Sequence, residues 1–341
     1  MQLSRRTFCL SLGLGAGALA LGNGFRPAST LLDASEQSVT RASRALGTDV
    51  RITVLHEHTD QSAAALDAAF AEIELVERVM SLYRPGSQLC RLNRDGRLDD
   101  PHPYLVDVLR EALELSERSG GKFDVTVQPL WQLHAACARL GTLPTPSETR
   151  AAVELVGWRG VQVSSRRVTL ARSGMAITLN GIAQGFAADR ALAALRRHGM
   201  RHGLIDTGEL AGLGRKSPGT PWQAGIQHPR EADAYVALAD LDDRPLSTSG
   251  DYATTFGNTD RHHLFDPDTG QAASEFASVS IVAPAGSTAD GLSTAVFVLG
   301  LDAGLELIRR TPRADALCVL KSGQVRRTEH FPVAAAEEVT S

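Results

Sequence analysis

The chain has 341 residues, 43% of them hydrophobic and 22% charged, enough to bury the core of one large domain or of two closely associated lobes. A formal net charge of -4 excludes a nucleic-acid binder working through bulk positive charge, and an aromatic content of 5% excludes a stacking surface for bases or sugars as the main theme. With Cys9 read as signal sequence, three cysteines remain, Cys90, Cys137 and Cys318, an odd count far apart with no C-x-x-C pair, which is not a disulfide scaffold or a zinc site; they read as small core hydrophobes.

In chain order, "MQLSRRTFCLSLGLGAGALALG" comes first. It sets the paired basic residues Arg5 and Arg6 ahead of an apolar stretch from Phe8 to Leu21 that is too short and too glycine-rich for a membrane span. "SRRTFCL" looks like a twin-arginine export signal, with an ordinary secretory signal as the alternative, and predicts a periplasmic protein. Residues 1–30 are read as signal, 31–43 as linker, 44–330 as the domain and 331–341 as a loose tail. "GTDVRITVLH" alternates and is β-branched, so it predicts a strand. Leu66, Phe70, Ile73, Val76 and Met80 recur at helical spacing and predict a helix over 61–82. "YRPGSQLCRLNRDGRLDDPHP" reads as a polar loop, and a second helix over roughly 103–119 stops at Gly120-Gly121.

"RRVTLARSGMAITLNG" reads as a hairpin, followed by a helix from Ala183 to His198. Short strands follow near 204–205, 223–227, 235–238 and 278–283, then a helix containing Asp290 and Thr294, a short helix over 302–310, and strands near 316–320 and 324–328. The mixture lacks a steady β-α-β alternation and predicts an α+β fold.

Chemistry concentrates at glycine-rich turns. "GGKFDVTVQPLW" reads as a helix-to-strand connection carrying Asp124 and Thr126, and "LNGIAQGFAADR" as a strand-to-helix connection through Gly181 and Gly185. Neither is a Rossmann or P-loop sequence. "RPLSTSGDYATTF" sets Thr248, Ser249, Asp251 and Tyr252 close together, and "HHLFDPDTG" places His263 just before a polar turn. In "STADGLSTAVFVLG" Asp290 and Thr294 stack one turn apart at what reads as the opening of a helix. A carboxylate there is either a cap suited to the helix dipole or a ligand for something outside the helix.

"ALGTDVRITV", "MSLYRPGSQLCRLN", "GGKFDVTVQPLW", "LNGIAQGFAADRAL", "IDTGEL", "GIQHP", "LSTSGDY", "HHLFDPDTG" and "SVSIVAPAGSTADGLSTAVFVLG" occur in that order. Together they resemble the ApbE family, the FAD:protein FMN transferases, over about residues 44–330. The resemblance implies a two-lobed α+β fold with FAD in a cleft between the lobes. It implies a Mg2+ ion at the FAD pyrophosphate, and transfer of FMN to a Thr or Ser of an acceptor flavoprotein with release of AMP.

Carried onto this sequence, the metal positions are Gly181, Asp290 and Thr294, with Ser293 as an extra oxygen; all are the hard oxygen donors that magnesium prefers. The FAD-side positions are Leu46, Tyr83, Phe123, Asp124, Thr178, Gln184, Ser249, Tyr252, His263 and Leu264, with His263 and Asp290 as the catalytic pair. Gln184 stands where Lys or Glu is usual, Thr178 where Asp is usual, and Leu46 where Met is usual. "LNGIAQG" and "IDTGEL" are also similar to a NosX-like branch tied to nitrous-oxide respiration, which implies a membrane-bound respiratory flavoprotein as acceptor. Two other functions stay open: an FAD-binding carrier or maturation factor, and an FAD pyrophosphatase that uses water as acceptor. No nucleic-acid partner is expected.

Overall fold

The computed structural model describes residues 37–334; the signal reading, Arg5 and Arg6 included, lies outside them, as does most of the tail. The chain opens with strands β1 (Gln37–Ala45) and β2 (Thr48–His56), then helices α1 (Thr59–Met80) and α2 (Gln88–Asp95), β3 (Arg97–Asp99), and helices α3 (Pro103–Arg118), α4 (Gln128–Arg139) and α5 (Pro146–Val153). Next come β4 (Val161–Val163), β5 (Arg167–Leu170), α6 (Ala183–Arg197), β6 (His202–Asp206), β7 (Leu210–Leu213), β8 (Arg215–Ser217), β9 (Thr220–Gln227), β10 (Tyr235–Leu241) and β11 (Leu246–Gly250). The last elements are β12 (Phe276–Val282), α7 (Gly286–Leu299), α8 (Leu301–Arg309), β13 (Asp315–Leu320) and β14 (Val325–Arg327).

An eight-stranded antiparallel sheet in the order β1-β2-β6-β7-β11-β12-β13-β14 organises the molecule. In β2 the inward positions Val50, Ile52 and Val54 are fully buried while Asp49 and Arg51 are not, the period-two pattern of a half-covered sheet. Central β12 is buried at every position. Helices α1, α3, α6 and α7 cover one face through Leu66, Ile73, Leu109, Phe186, Leu192 and Phe297. The small sheet β10-β9-β8 closes the other face through Trp222, Ile226 and Leu241. A third sheet, β3-β5-β4, stands apart from both. The α+β expectation holds.

Four local expectations are corrected. Residues from Gln37 form an edge strand, not linker; its polar, largely exposed side chains carry no apolar alternation to read. The expected polar loop contains α2, held by only two buried leucines, Leu89 and Leu92, a Ser87 cap and a left-handed Gly96. The expected hairpin after Arg166 has one strand, β5; residues 171–182 are irregular. Met175, Ile177 and Leu179 alternate and are buried, yet the Asn93 side chain replaces a neighbouring strand: its amide donates to the Ile177 carbonyl (2.8 Å) and its oxygen accepts the Ile177 N–H (2.7 Å). "FDVTV" forms turns leading into α4 instead of a strand.

Candidate functional site

The helix holding Asp290 begins earlier than its sequence suggests. α7 starts at Gly286, which puts Asp290 in the second turn with no acidic residue in the first. The capping carboxylate comes from α6: Asp189 accepts the Gly286 N–H at 2.7 Å on one oxygen and the Ser287 N–H at 2.9 Å on the other. Burial pushes the Asp189 carboxyl upward, opposed by those two amides. With the helix end satisfied by Asp189, the capping explanation for Asp290 fails.

Asp290 is 4% exposed and accepts the Gly185 N–H at 3.0 Å. Helices α6 and α7 meet at paired glycines. A Cβ on Gly185 would stand 2.0 Å from the Gly286 carbonyl oxygen, and one on Gly286 would stand 2.4 Å from that of Gly185. Only glycine permits this crossing, which brings the start of α6 against Asp290. α6 has no side-chain cap of its own, so its first turn presents amide donors beside the carboxylate.

Thr294 lies one turn beyond Asp290, and its hydroxyl oxygen is 2.9 Å from where a Gly181 Cβ would stand. Ser293 donates its hydroxyl to the Asp290 carbonyl (2.8 Å). Ser249 on β11 links both hydroxyls, 2.8 Å from Ser293 Oγ and 3.2 Å from Thr294 Oγ1. Ser293 therefore reaches the site through Ser249, whereas Asp290, Thr294 and Gly181 converge directly. No group of three His, Cys, Asp or Glu side chains able to hold a metal exists among the described residues. The donors are one carboxylate, hydroxyls and a carbonyl. That set fits Mg2+, which takes one or two carboxylates and fills its remaining positions with water and phosphate oxygens.

The surrounding segments are tied to this centre. The Thr178 N–H donates to the Val125 carbonyl at 2.8 Å, joining the two glycine-rich connections. Gln184 donates to the Thr207 carbonyl (3.1 Å), beside Gly208, which in turn lies against Thr48, the first residue of β2 after the Leu46-Gly47 turn. Leu46 has φ 55° and Gly47 φ 77°, the paired left-handed residues of a tight hairpin. Phe123 is buried and approaches α7 at Gly291. Asp124 is occupied by its own turn and by a distant segment: one oxygen accepts the Thr126 N–H (2.7 Å) and hydroxyl (2.5 Å), the other the Trp158 N–H (2.9 Å). Burial raises its carboxyl, and those bonds oppose the rise. Tyr83 projects into solvent, 71% exposed, on the loop after α1. Leu264 is buried in the main core.

The adjacent histidines separate cleanly. His262 is buried, its Nε2–H donating to the Ala273 carbonyl (2.8 Å) and its Nδ1 accepting the Leu264 N–H (3.2 Å); burial lowers its pKa, so it is a neutral structural ring. His263 places Nδ1 at 3.2 Å from the Thr254 carbonyl. A carbonyl only accepts, so Nδ1 carries hydrogen and Nε2 is the nitrogen that can take up a proton. Tyr252, on the same loop, lies over Gly250, where a Cβ would stand 2.4 Å from its ring.

Two ion-pair clusters escaped the sequence reading. Lys122 bonds Asp266 and Asp268 (2.8 Å each), clamping the "DPDTG" turn onto "GGKFD". Arg230 forms a two-pronged pair with fully buried Asp251 (2.7 Å on each oxygen), anchoring the loop that carries Tyr252 and His263. The signal for the second was faint: a charged residue inside an apolar-flanked turn.

Comparison with known proteins follows this geometry. The model of the ApbE family matches residues 46–318. A Treponema pallidum FAD:protein FMN transferase is 32% identical over 84% of this chain and 86% of its own, and the Salmonella typhimurium enzyme of that name is 27% identical over 96% and 97%. Among solved structures, the ApbE protein of Thermotoga maritima superposes with a TM-score of 0.77 at 28% identity, covering 86% of this chain and 97% of that one. The apo flavinyl transferase ApbE of Pseudomonas stutzeri gives 0.73 at 27%, covering 86% and 95%.

Proposed function

The chain belongs to the ApbE family, and from that premise we propose that it is an FAD:protein FMN transferase, moving FMN from FAD to a Thr or Ser hydroxyl of an acceptor flavoprotein with release of AMP. The observation that carries this reading is the convergence of Asp290, Thr294 and Gly181 beside the crossing of α6 and α7, with the start of α7 capped by Asp189 and the Asp290 carboxylate turned to the first turn of α6 at Gly185.

In this reading Asp290, Thr294 and the Gly181 carbonyl hold Mg2+, with Ser293 and Ser249 supporting Thr294. When bound, the cation offsets pyrophosphate charge and eases the departure of AMP. In the same reading the uncapped start of α6 and Gln184, held at the Thr207 carbonyl, contact phosphate oxygens. The acceptor oxygen forms a bond to the FMN phosphorus, the bond from that phosphorus to the bridging oxygen breaks, and AMP leaves with the bridging oxygen. The hydroxyl proton passes to His263 Nε2, whose orientation is set by the Nδ1–H bond to Thr254. Tyr83, Phe123, Tyr252 and the Leu46 turn supply the flavin-facing walls.

We extend the proposal to a periplasmic enzyme exported through its twin-arginine-type leader, with a membrane-bound respiratory flavoprotein of the NosX-linked kind as acceptor.

The test incubates purified protein with FAD, MgCl2 and candidate periplasmic flavoproteins, then reads flavin fluorescence on a denaturing gel and AMP by chromatography. Expected are a covalently fluorescent acceptor with equimolar AMP, and tighter calorimetric binding of FAD than of FMN. AMP without protein-bound flavin would make the protein a pyrophosphatase, and bound but intact FAD a carrier.

A further inference from the structure

The main sheet has a gap beside the site. β7 and β11 are neighbours but pair at a single position, Leu210 with Leu246. Beyond it, the Thr248 N–H is satisfied by the Glu209 carboxylate (3.2 Å) instead of by a strand. On the other side of β11 the ladder to β12 runs through alternate residues: the Ala283 N–H donates to the Pro245 carbonyl and the Asp251 N–H to the Ala277 carbonyl. Alternation therefore turns the backbone groups of Thr248 and Gly250 toward the β7 side. There they border a cleft of about 40 Å³ lined by Gly208, Glu209, Gln227, Thr248, Gly250 and Tyr252. The same strand reaches the metal-binding positions from its other face, because Ser249 contacts Ser293 and Thr294.

Resting on the transferase reading, we propose that this edge of β11 docks the acceptor protein: an extended acceptor segment takes the place of the Glu209 carboxylate at the Thr248 N–H and of the Ala253 N–H (3.3 Å) at the Gly250 carbonyl, and adds as a short strand along Thr248–Gly250 with its reactive Ser or Thr opposite Ser249. Strand addition supplies affinity through backbone bonds and makes a sheet edge a peptide site. Residues opposite one another on adjacent strands send their side chains to the same face, with Cβ atoms about 4.5–5.5 Å apart. A hydroxyl residue opposite Ser249 thus projects toward α7, the face of Asp290 and Thr294, while its two neighbours project toward β9 and Gln227. The edge both binds the acceptor and aims its hydroxyl at the phosphorus.

The test uses the full protein, saturating FAD and MgCl2, and as acceptor a domain flavinylated by the Salmonella typhimurium relative. Ala253→Trp, at the mouth of the cleft, obstructs the edge; Gln227→Trp obstructs it from β9 and serves if the first variant misfolds. Expected are an acceptor KM raised at least tenfold, FAD affinity within twofold of the unaltered protein, and unchanged AMP release into water. Hydrogen exchange at the Gly250 amide should slow on adding acceptor. An unchanged acceptor KM in both variants, or unchanged Gly250 exchange, overturns the proposal. So does a tenfold loss of FAD affinity in both, which would give the cleft to the nucleotide. Absence of covalent flavin with the unaltered protein counts against the transferase reading itself, whereas defects confined to the variants report on the cleft alone.

Discussion

Replacing Asp290 by Asn, alongside Asp189 by Ala, separates two jobs that a carboxylate can do near the start of a helix. Asp290 sits in the second turn of α7 and accepts one N–H, from Gly185 at 3.0 Å. An Asn oxygen can accept the same N–H, and a neutral amide is cheaper to bury than a charge, so the stability change should stay within about 1 kcal/mol. Loss of the one carboxylate among the proposed metal donors should instead lower FMN transfer on the order of 100- to 1000-fold, about 2.7–4 kcal/mol in the barrier, with a steeper requirement for magnesium. Asp189→Ala inverts the pattern. It removes both bonds that end α7, at 2.7 and 2.9 Å, and should cost about 2–4 kcal/mol, a melting temperature lower by several degrees. Its magnesium dependence should remain near native after correction for the folded fraction. The assay is initial rate of transfer against magnesium concentration, paired with thermal melting of each variant. If Asp290→Asn melts several degrees low yet transfers at the native rate with unchanged magnesium dependence, the assignment of roles is reversed and the metal reading fails.

Arg230→Ala leaves the Asp251 carboxylate buried, with Lys321 at 4.0 Å, and should cost about 3 kcal/mol in urea unfolding, with transfer reduced further because the loop of Tyr252 and His263 loses its anchor. A loss below about 0.5 kcal/mol would show that the pair is dispensable. His262 is held neutral by burial, so its pKa is depressed in the folded state; the stability it contributes is present above its unfolded pKa of about 6.5 and is lost as pH falls through the folded value. Between pH 6.5 and 5 the unaltered protein should therefore lose up to about 1.4 kcal/mol per pH unit relative to His262→Gln, and parallel pH–stability curves for the two would refute this. Arg5→Lys combined with Arg6→Lys should retain a folded, FAD-binding protein in the cytoplasm, and normal periplasmic levels of the double variant would refute twin-arginine export.

The sequence alone determined what neighbours along the chain can encode. Helical spacing located α1 and alternation located β2, and α3, α6, α8, β9 and β12 were read from the sequence to within a few residues. The i, i+4 spacing of Asp290 and Thr294 put both on one side of a helix, and the ordered motifs placed the chain in its family. What stayed hidden was whatever required a partner distant in sequence. The true start of α7 was invisible because its cap, Asp189, lies 97 residues earlier in another helix, where it reads as an ordinary surface charge. Residues 171–182 passed for a strand because the large apolar residues Met175, Ile177 and Leu179 sit two apart; Asn93, 84 residues away, satisfies the Ile177 backbone in place of a ladder. The opening between β7 and β11 has no signature in either strand, since it consists of pairing that stops after Leu210 and Leu246. Periodicity reports which side of an element will be buried. The satisfaction of a helix end, an irregular backbone or a sheet edge depends on which donors and acceptors the finished fold carries to it, and that was decided in three dimensions.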